Sequence, residues 1–167
     1  LVEEESIAPR AHGGPIQLFY GPEPLTPRPI ISHAFGIHMW DTHGRRYIDG
    51  SSGPVVTNIG YGNKRVLEAM VRQAEKVCYA SRAVFENQPN IDLADLVTGL
   101  AGPGLERAFI TSGGSEATEA AIKLARQYFL EIGQPERRNI IARWQGYHGN
   151  TLGALSAGGN RWRRAQF

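Results

Sequence analysis

Apolar positions along this chain recur at two periods, and glycine- and proline-rich stretches separate the runs. Residues 1–30 carry an acidic cluster, Glu3 to Glu5, and then GPEPLTPRPI, whose prolines forbid regular helix; the segment reads as an extended arm. IHMWDTHGRRYID, Ile37 to Asp49, reads as two short antiparallel strands around the turn Asp41-Thr42-His43-Gly44. Val66, Leu67, Met70, Val71, Ala74, Val77 and Cys78 share one face of a helix expected from Lys64 to Tyr79. A second helix is expected from Ile91 to Leu100, with Asn90 as its cap and Gly102-Pro103 beyond its end. RAFI, Arg107 to Ile110, reads as a short buried strand. Ala117, Ala121, Leu124, Ala125, Tyr128, Phe129 and Ile132 then follow helical spacing up to Gly133 and Pro135, and NIIARW, Asn139 to Trp144, reads as a second buried strand. Strand, helix and strand in succession imply a parallel sheet with a right-handed crossover, and so an α/β fold.

Composition narrows the class without naming a function. At 167 residues, 41% hydrophobic and 20% charged, the chain has the makings of a globular fold rather than a disordered or membrane one. No apolar run is long enough to span a bilayer and no signal peptide is visible, so no membrane partner is expected and the cytoplasm is the default location. The lone Cys78 has no cysteine to pair with, and its place on the helical stripe predicts a buried structural thiol. The formal charge of +2 has its excess in RWRRAQF, with Arg161, Arg163 and Arg164. No nucleic-acid motif accompanies that tip, and no nucleic-acid partner is expected. The chain starts without methionine and stops after a glycine-rich segment, which predicts a piece of something longer.

Candidate chemistry gathers in three glycine-rich stretches. TSGGSEATE, Thr111 to Glu119, lies between the first strand and the long helix. Glycine lets another group approach the backbone, Ser115 is a good N-cap, and a helix N-terminus offers free N–H groups and a positive dipole end to an anion. A plain turn from strand to helix uses the same residues, so this stretch alone leaves both readings open. It has neither the spacing of a P-loop nor that of a dinucleotide fingerprint and contains no lysine, which suits one phosphomonoester better than a triphosphate. The second stretch, QGYHGNTLGALSAGG, leaves the second strand along the same sheet edge, where α/β folds bind ligands. Tyr147 there is suited to stack on a flat ring and His148 to buttress it, or both simply pack. The third, SSGPVVTNIGYGN from Ser51 to Asn63, is either a cavity-lining loop or an ordinary connection.

Taken together, ITSGGSEATEAAIKLAR, the later GYHGNTLGALSAGG and the earlier WDTHGRRYIDGSSGPVVTNIGYGN resemble, in the right order, the class III aminotransferases, fold-type-I enzymes that use pyridoxal 5′-phosphate. The resemblance covers almost everything after the first thirty or so residues. It implies the N-terminal part of a PLP-dependent transferase: an arm over 1–30, a hairpin and substrate-side loop over 31–63, and the start of the large parallel-sheet domain over 64–167. It implies that Gly114 and Ser115 hold the cofactor phosphate with Gly113 permitting approach, that Tyr147 stacks on the pyridine ring, and that His148 supports the ring site. Val55 corresponds to a substrate-pocket position, and Phe85 to a loop that reaches the partner subunit's active site in a homodimer. Gly113 stands where the family commonly has another small residue such as serine. An amino donor and a 2-oxo acid acceptor would be the substrates; aminomutases and racemases share the same sequence type, and a non-catalytic half that needs a second chain is the further alternative.

The chemistry implied by that resemblance needs a Schiff-base lysine, and the chain has only Lys64, Lys76 and Lys123. Lys123 follows Ser115 by eight residues, about 12 Å along a helix leading away from the proposed phosphate. Lys64 and Lys76 belong to solvated positions of another helix. The Schiff-base lysine is therefore expected outside this chain, in a missing C-terminal portion, and the chain alone is expected to be inactive. No metal site is expected.

Overall fold

The computed structural model describes residues 28–167. The acidic cluster and nearly all of the expected arm lie outside the described residues. The described residues divide into two compact units, with the boundary between Tyr79 and Ala80.

In the first unit, β1 (Ile31–Phe35), β2 (His38–Asp41) and β3 (Arg46–Ile48) form an antiparallel sheet in the order β1-β2-β3. The expected pair is thus a three-stranded meander, whose first strand begins where the proline run ends. Asp41 closes the β2–β3 turn: its Oδ1 accepts the N–H groups of His43 and Arg45, both at 2.9 Å, and its Oδ2 accepts the Tyr47 hydroxyl at 2.8 Å. Asp41 is buried, and satisfying a buried carboxylate this fully is what makes burial tolerable. Gly44, at φ +77°, supplies the left-handed residue that the turn requires.

The glycine-rich loop that follows is tied to the sheet rather than free. Gly36 and Tyr61 exchange backbone hydrogen bonds at 3.0 and 2.8 Å, and Asp49 accepts the Tyr61 hydroxyl at 2.7 Å together with the N–H groups of Ser51 and Gly53. Within it, α1 (Ser52–Val55) is a single distorted turn: Val55 has φ +65°, which is strained for a β-branched residue. The next helix, α2 (Lys64–Lys76), is capped by Asn63, whose side chain accepts the Val66 N–H. It stops earlier than its apolar stripe suggests, because Val77 turns extended at φ −162° and ψ 120°. Cys78 therefore falls beyond the helix and is exposed, not buried.

The second unit contains α3 (Gln88–Ala101), α4 (Gly114–Glu131), α5 (Leu152–Ala157) and α6 (Arg161–Arg164). Asn87, rather than Asn90, caps α3; its side chain accepts the Asn90 N–H, and Pro89 sits in the first turn, where no N–H is needed. Gly133, at φ +73°, follows the end of α4.

The two expected parallel strands do not form ladders. Arg107–Ile110 and Asn139–Trp144 are irregular, with Phe109 68% and Ile141 97% exposed. A parallel strand is held by partners on both edges and cover on both faces, and the described residues provide neither. Ala154 is the one buried hydrophobic residue among them. Among the described residues no helix is long and apolar enough to cross a membrane, and no His, Cys, Asp and Glu cluster is arranged to hold a metal.

Candidate functional site

Three side chains on one face of α4 reach across to the first turn of α5 and the loop that precedes it. Ser115, Thr118 and Glu119 lie three and four residues apart, the spacing that stacks side chains on a helix. The Asn150 N–H donates to Ser115 Oγ at 2.9 Å, the Thr118 hydroxyl donates to the His148 carbonyl at 2.7 Å, and Glu119 Oε1 accepts the N–H groups of Gly153 and Ala154 at 2.9 and 3.2 Å. α4 and α5 pack together along this line.

Close approach is possible only because the loop carries glycine at the contact points. Gly149 has φ +136°, and a Cβ there would lie 2.8 Å from Ser115 Oγ and 2.8 Å from the Ala154 Cβ. At Gly153 an added Cβ would lie 2.5 Å from the Glu119 carboxylate oxygens. Donation to Glu119, by the Thr151 hydroxyl first and then by the backbone of Ala154 and Gly153, holds its carboxyl below the ordinary glutamate range, against a smaller opposing effect of burial.

The turn at the head of α4 has the features of an anion site. Gly113, not Ser115, is the residue that precedes the helix, with φ −167° and no side-chain cap; Ser115 stands one residue inside the first turn. The first-turn N–H groups of Gly114, Ser115 and Glu116 have no carbonyl one turn earlier in the helix to bond to, and a helix of 18 residues points its positive dipole end there. Space over Gly114 is open: nothing would meet a Cβ within 4 Å. Ser115 Oγ accepts from Asn150, so its own proton remains to be donated. Against these, Glu116 folds its carboxylate over Gly113, where an added Cβ would lie 2.7 Å from Oε2; the side chain is exposed and free to rotate away.

The other expected site residues are placed unevenly. The backbone of His148 reaches α4 through Thr118, while its ring folds back on Gly146, where a Cβ would be 3.1 Å from Nε2. Tyr147 is exposed, and the Arg163 guanidinium lies over its ring, 5.3 Å from the centroid. Phe85 is exposed in the loop before α3, its N–H bonded to the Ser81 carbonyl. Val55 is exposed at the strained turn of the first unit. Lys64, Lys76 and Lys123 are all exposed. Thr118, Glu119, Asn150 and Thr151 were not among the expected site residues; only the fit of a serine, a threonine and a carboxylate to one helical face hints at them, and nothing in spacing pairs position 119 with position 153.

The family model for class III aminotransferases matches residues 22–166. The chain belongs to that family. Members of the family similar to this chain include an uncharacterized aminotransferase of Schizosaccharomyces pombe, 42% identical over 83% of this chain and 30% of its own length. Among solved structures, a Bacillus anthracis aminotransferase superposes with a TM-score of 0.81 at 36% identity, over 90% of this chain and 33% of that one. An amine transaminase from an uncultivated Pseudomonas species, solved with pyridoxal phosphate bound, gives 0.81 at 29% identity, over 90% and 35%. These likenesses establish the α/β fold class of the pyridoxal phosphate-dependent transaminases, with the small antiparallel sheet at its start. The chain spans about a third of the length of the class III relatives it matches.

Proposed function

We propose that this chain is the N-terminal, phosphate-holding part of a pyridoxal phosphate-dependent aminotransferase that moves an amino group from an amine or amino acid to a 2-oxo acid. The observation that carries the reading is the head of α4. Unpaired N–H groups, an open glycine and a serine proton not used by the protein converge there, in a chain of the class III family. That donor set fits a phosphomonoester: it offers backbone amides, a hydroxyl and a helix dipole, and it lacks a lysine that would reach further phosphates.

When bound, the cofactor supplies the electron sink on which the amino group is exchanged. This chain's contribution is binding and orientation. Gly114 and Ser115 hold the phosphate through backbone N–H groups and Ser115 Oγ–H, with Gly113 permitting approach once the exposed Glu116 carboxylate swings off it. Tyr147 covers the pyridine ring once Arg163 yields its face, and His148 supports that side. Val55 borders the substrate pocket, and Phe85 serves the partner's site in a homodimer. The arm over 1–30, the sheet and loop over 31–63, and residues 64–167 as the start of the large domain are the corresponding divisions. The lysine comes from polypeptide matching the two thirds of the relatives that this chain does not span; each of its own lysines is exposed and away from the α4 turn in sequence.

Titration of the full-length protein with pyridoxal phosphate, followed by an amino-donor screen with pyruvate and 2-oxoglutarate as acceptors, tests the reading. Saturable binding with transfer to an acceptor is expected; absence of both overturns it. Sedimentation at assay concentrations should show a dimer, and a fully active monomer would remove the role given to Phe85.

A further inference from the structure

We infer that Glu119 is a positioning residue for the proposed cofactor site, holding the Tyr147–Asn150 loop in register with the head of α4 through the N-terminal turn of α5. The inference rests on the reading above for its cofactor, but its geometry is independent of it.

Contacts run in a line from Glu119 to the phosphate turn. Glu119 Oε1 holds the Gly153 and Ala154 N–H groups, which fixes where α5 begins. Ala154, completely buried, then stands against Gly149, and Gly149 stands against Ser115 with no room for a side chain on either flank. The Asn150 N–H is thereby delivered to Ser115 Oγ, which orients the serine proton away from the loop. Displacing Ala154 would relax Gly149 and release Ser115 together. Of the three α4 side chains that reach the loop, Glu119 alone brings a charge and accepts more than one N–H, so its bonds are the strong ones. Neither Glu119 nor α5 needs to touch the cofactor for this to matter, since a site is only as well placed as the groups that support it.

Gln and Met separate the hydrogen bonds from the volume. Glu119→Gln keeps an Oε1 acceptor, whereas Glu119→Met fills the same space without one. In the full-length protein, Glu119→Met should weaken pyridoxal phosphate binding about tenfold or more, as expected of a misplaced loop. It should also raise amide hydrogen exchange over residues 147–155 in the cofactor-free protein. Glu119→Gln, which keeps an acceptor but loses the charge, should recover a large part of both and fall short of the parent. If the Met variant does not fold, Gly153→Ala replaces it, pressing on the carboxylate from the other side. Parent-like affinity and exchange in the Met variant would overturn the proposal. So would loosened exchange with unchanged affinity, or equal losses in Gln and Met, either of which marks a merely structural residue. Failure of the parent protein to bind pyridoxal phosphate would sink the functional reading instead. The exchange comparison would then decide the clamp alone, with unchanged protection in the Met variant overturning it and lost protection sustaining it.

Discussion

Gly149 and Ser115 lie so close that a Cβ on residue 149 would come within 2.8 Å of Ser115 Oγ and 2.9 Å of Ser115 Cα. Residues 34 apart in sequence are thus pressed together at the point where the long helix begins, and the next N–H along, from Asn150, bonds to that hydroxyl. Glycine is required there twice over, for its φ of +136° and for the missing side chain.

Gly149→Ala should accordingly destabilise the α4–α5 pairing by about 2 kcal/mol, within the range for overpacking a tight contact. Denaturant melts of parent and variant would measure it. The same change should weaken pyridoxal phosphate binding; a variant as stable and as avid as the parent would show that the loop has room to move.

Ser115→Asp should weaken phosphate-ester binding by more than tenfold, because it removes a hydroxyl donor and puts a negative charge beside a dianion. Ser115→Ala is the milder control, expected to lose the donor and the acceptor for the Asn150 N–H without adding charge. Titration by cofactor absorbance or fluorescence quenching distinguishes them. An Asp variant that binds like the parent would rule out a phosphate at this turn.

The β2–β3 turn should weaken toward both ends of the pH scale. The Tyr47 hydroxyl, followed by the N–H groups of Arg45 and His43, holds Asp41 below the ordinary aspartate range, and the same bond to Asp41 raises Tyr47. For the carboxylate the stabilisation is present above its unfolded pKa and lost as pH falls through the lowered folded value. For the phenol it is present below its unfolded pKa and lost as pH rises through the raised folded one. Asp49 and Tyr61 form a second pair with the same signs. Protection of the His43 and Arg45 amides, taken relative to intrinsic exchange at each pH, should therefore fall in strong acid and above about pH 10, the ordinary tyrosine range. In Tyr47→Phe the alkaline change at these amides should disappear and the acid change should begin at higher pH.

Treating the 167-residue chain with pyridoxal phosphate and then borohydride should leave sparse pyridoxyl label spread over Lys64, Lys76 and Lys123, all exposed, with no amino transfer. Mass spectrometry of the peptides provides the test. Stoichiometric labelling of Lys123 with transamination would make the chain self-sufficient. The chain by itself should also bind hydrophobic dyes strongly, since Leu100, Ile141 and Trp144 are at least 75% exposed.

The sequence by itself determined helices α2, α3 and α4, the family and the glycine turn before α4, because helix periodicity, turn chemistry and a run of matched motifs are local properties. It also placed the hairpin, though not β1: an extended segment without alternation becomes a strand only when a neighbour supplies hydrogen bonds, as β2 does. Arg107–Ile110 and Asn139–Trp144 mark the opposite limit, being apolar enough for strands yet unladdered where partners and cover are lacking. The caps shifted from Asn90 to Asn87 and from Ser115 to Gly113, since several polar residues near a helix start compete and backbone geometry selects among them. Cys78 lost its burial when Val77 left the helix. The union of Ser115 with Asn150, Thr118 with His148 and Glu119 with Gly153 belongs to tertiary structure alone. Those pairs are 30 to 35 residues apart, and only the packing of α5 on α4 brings their atoms within reach.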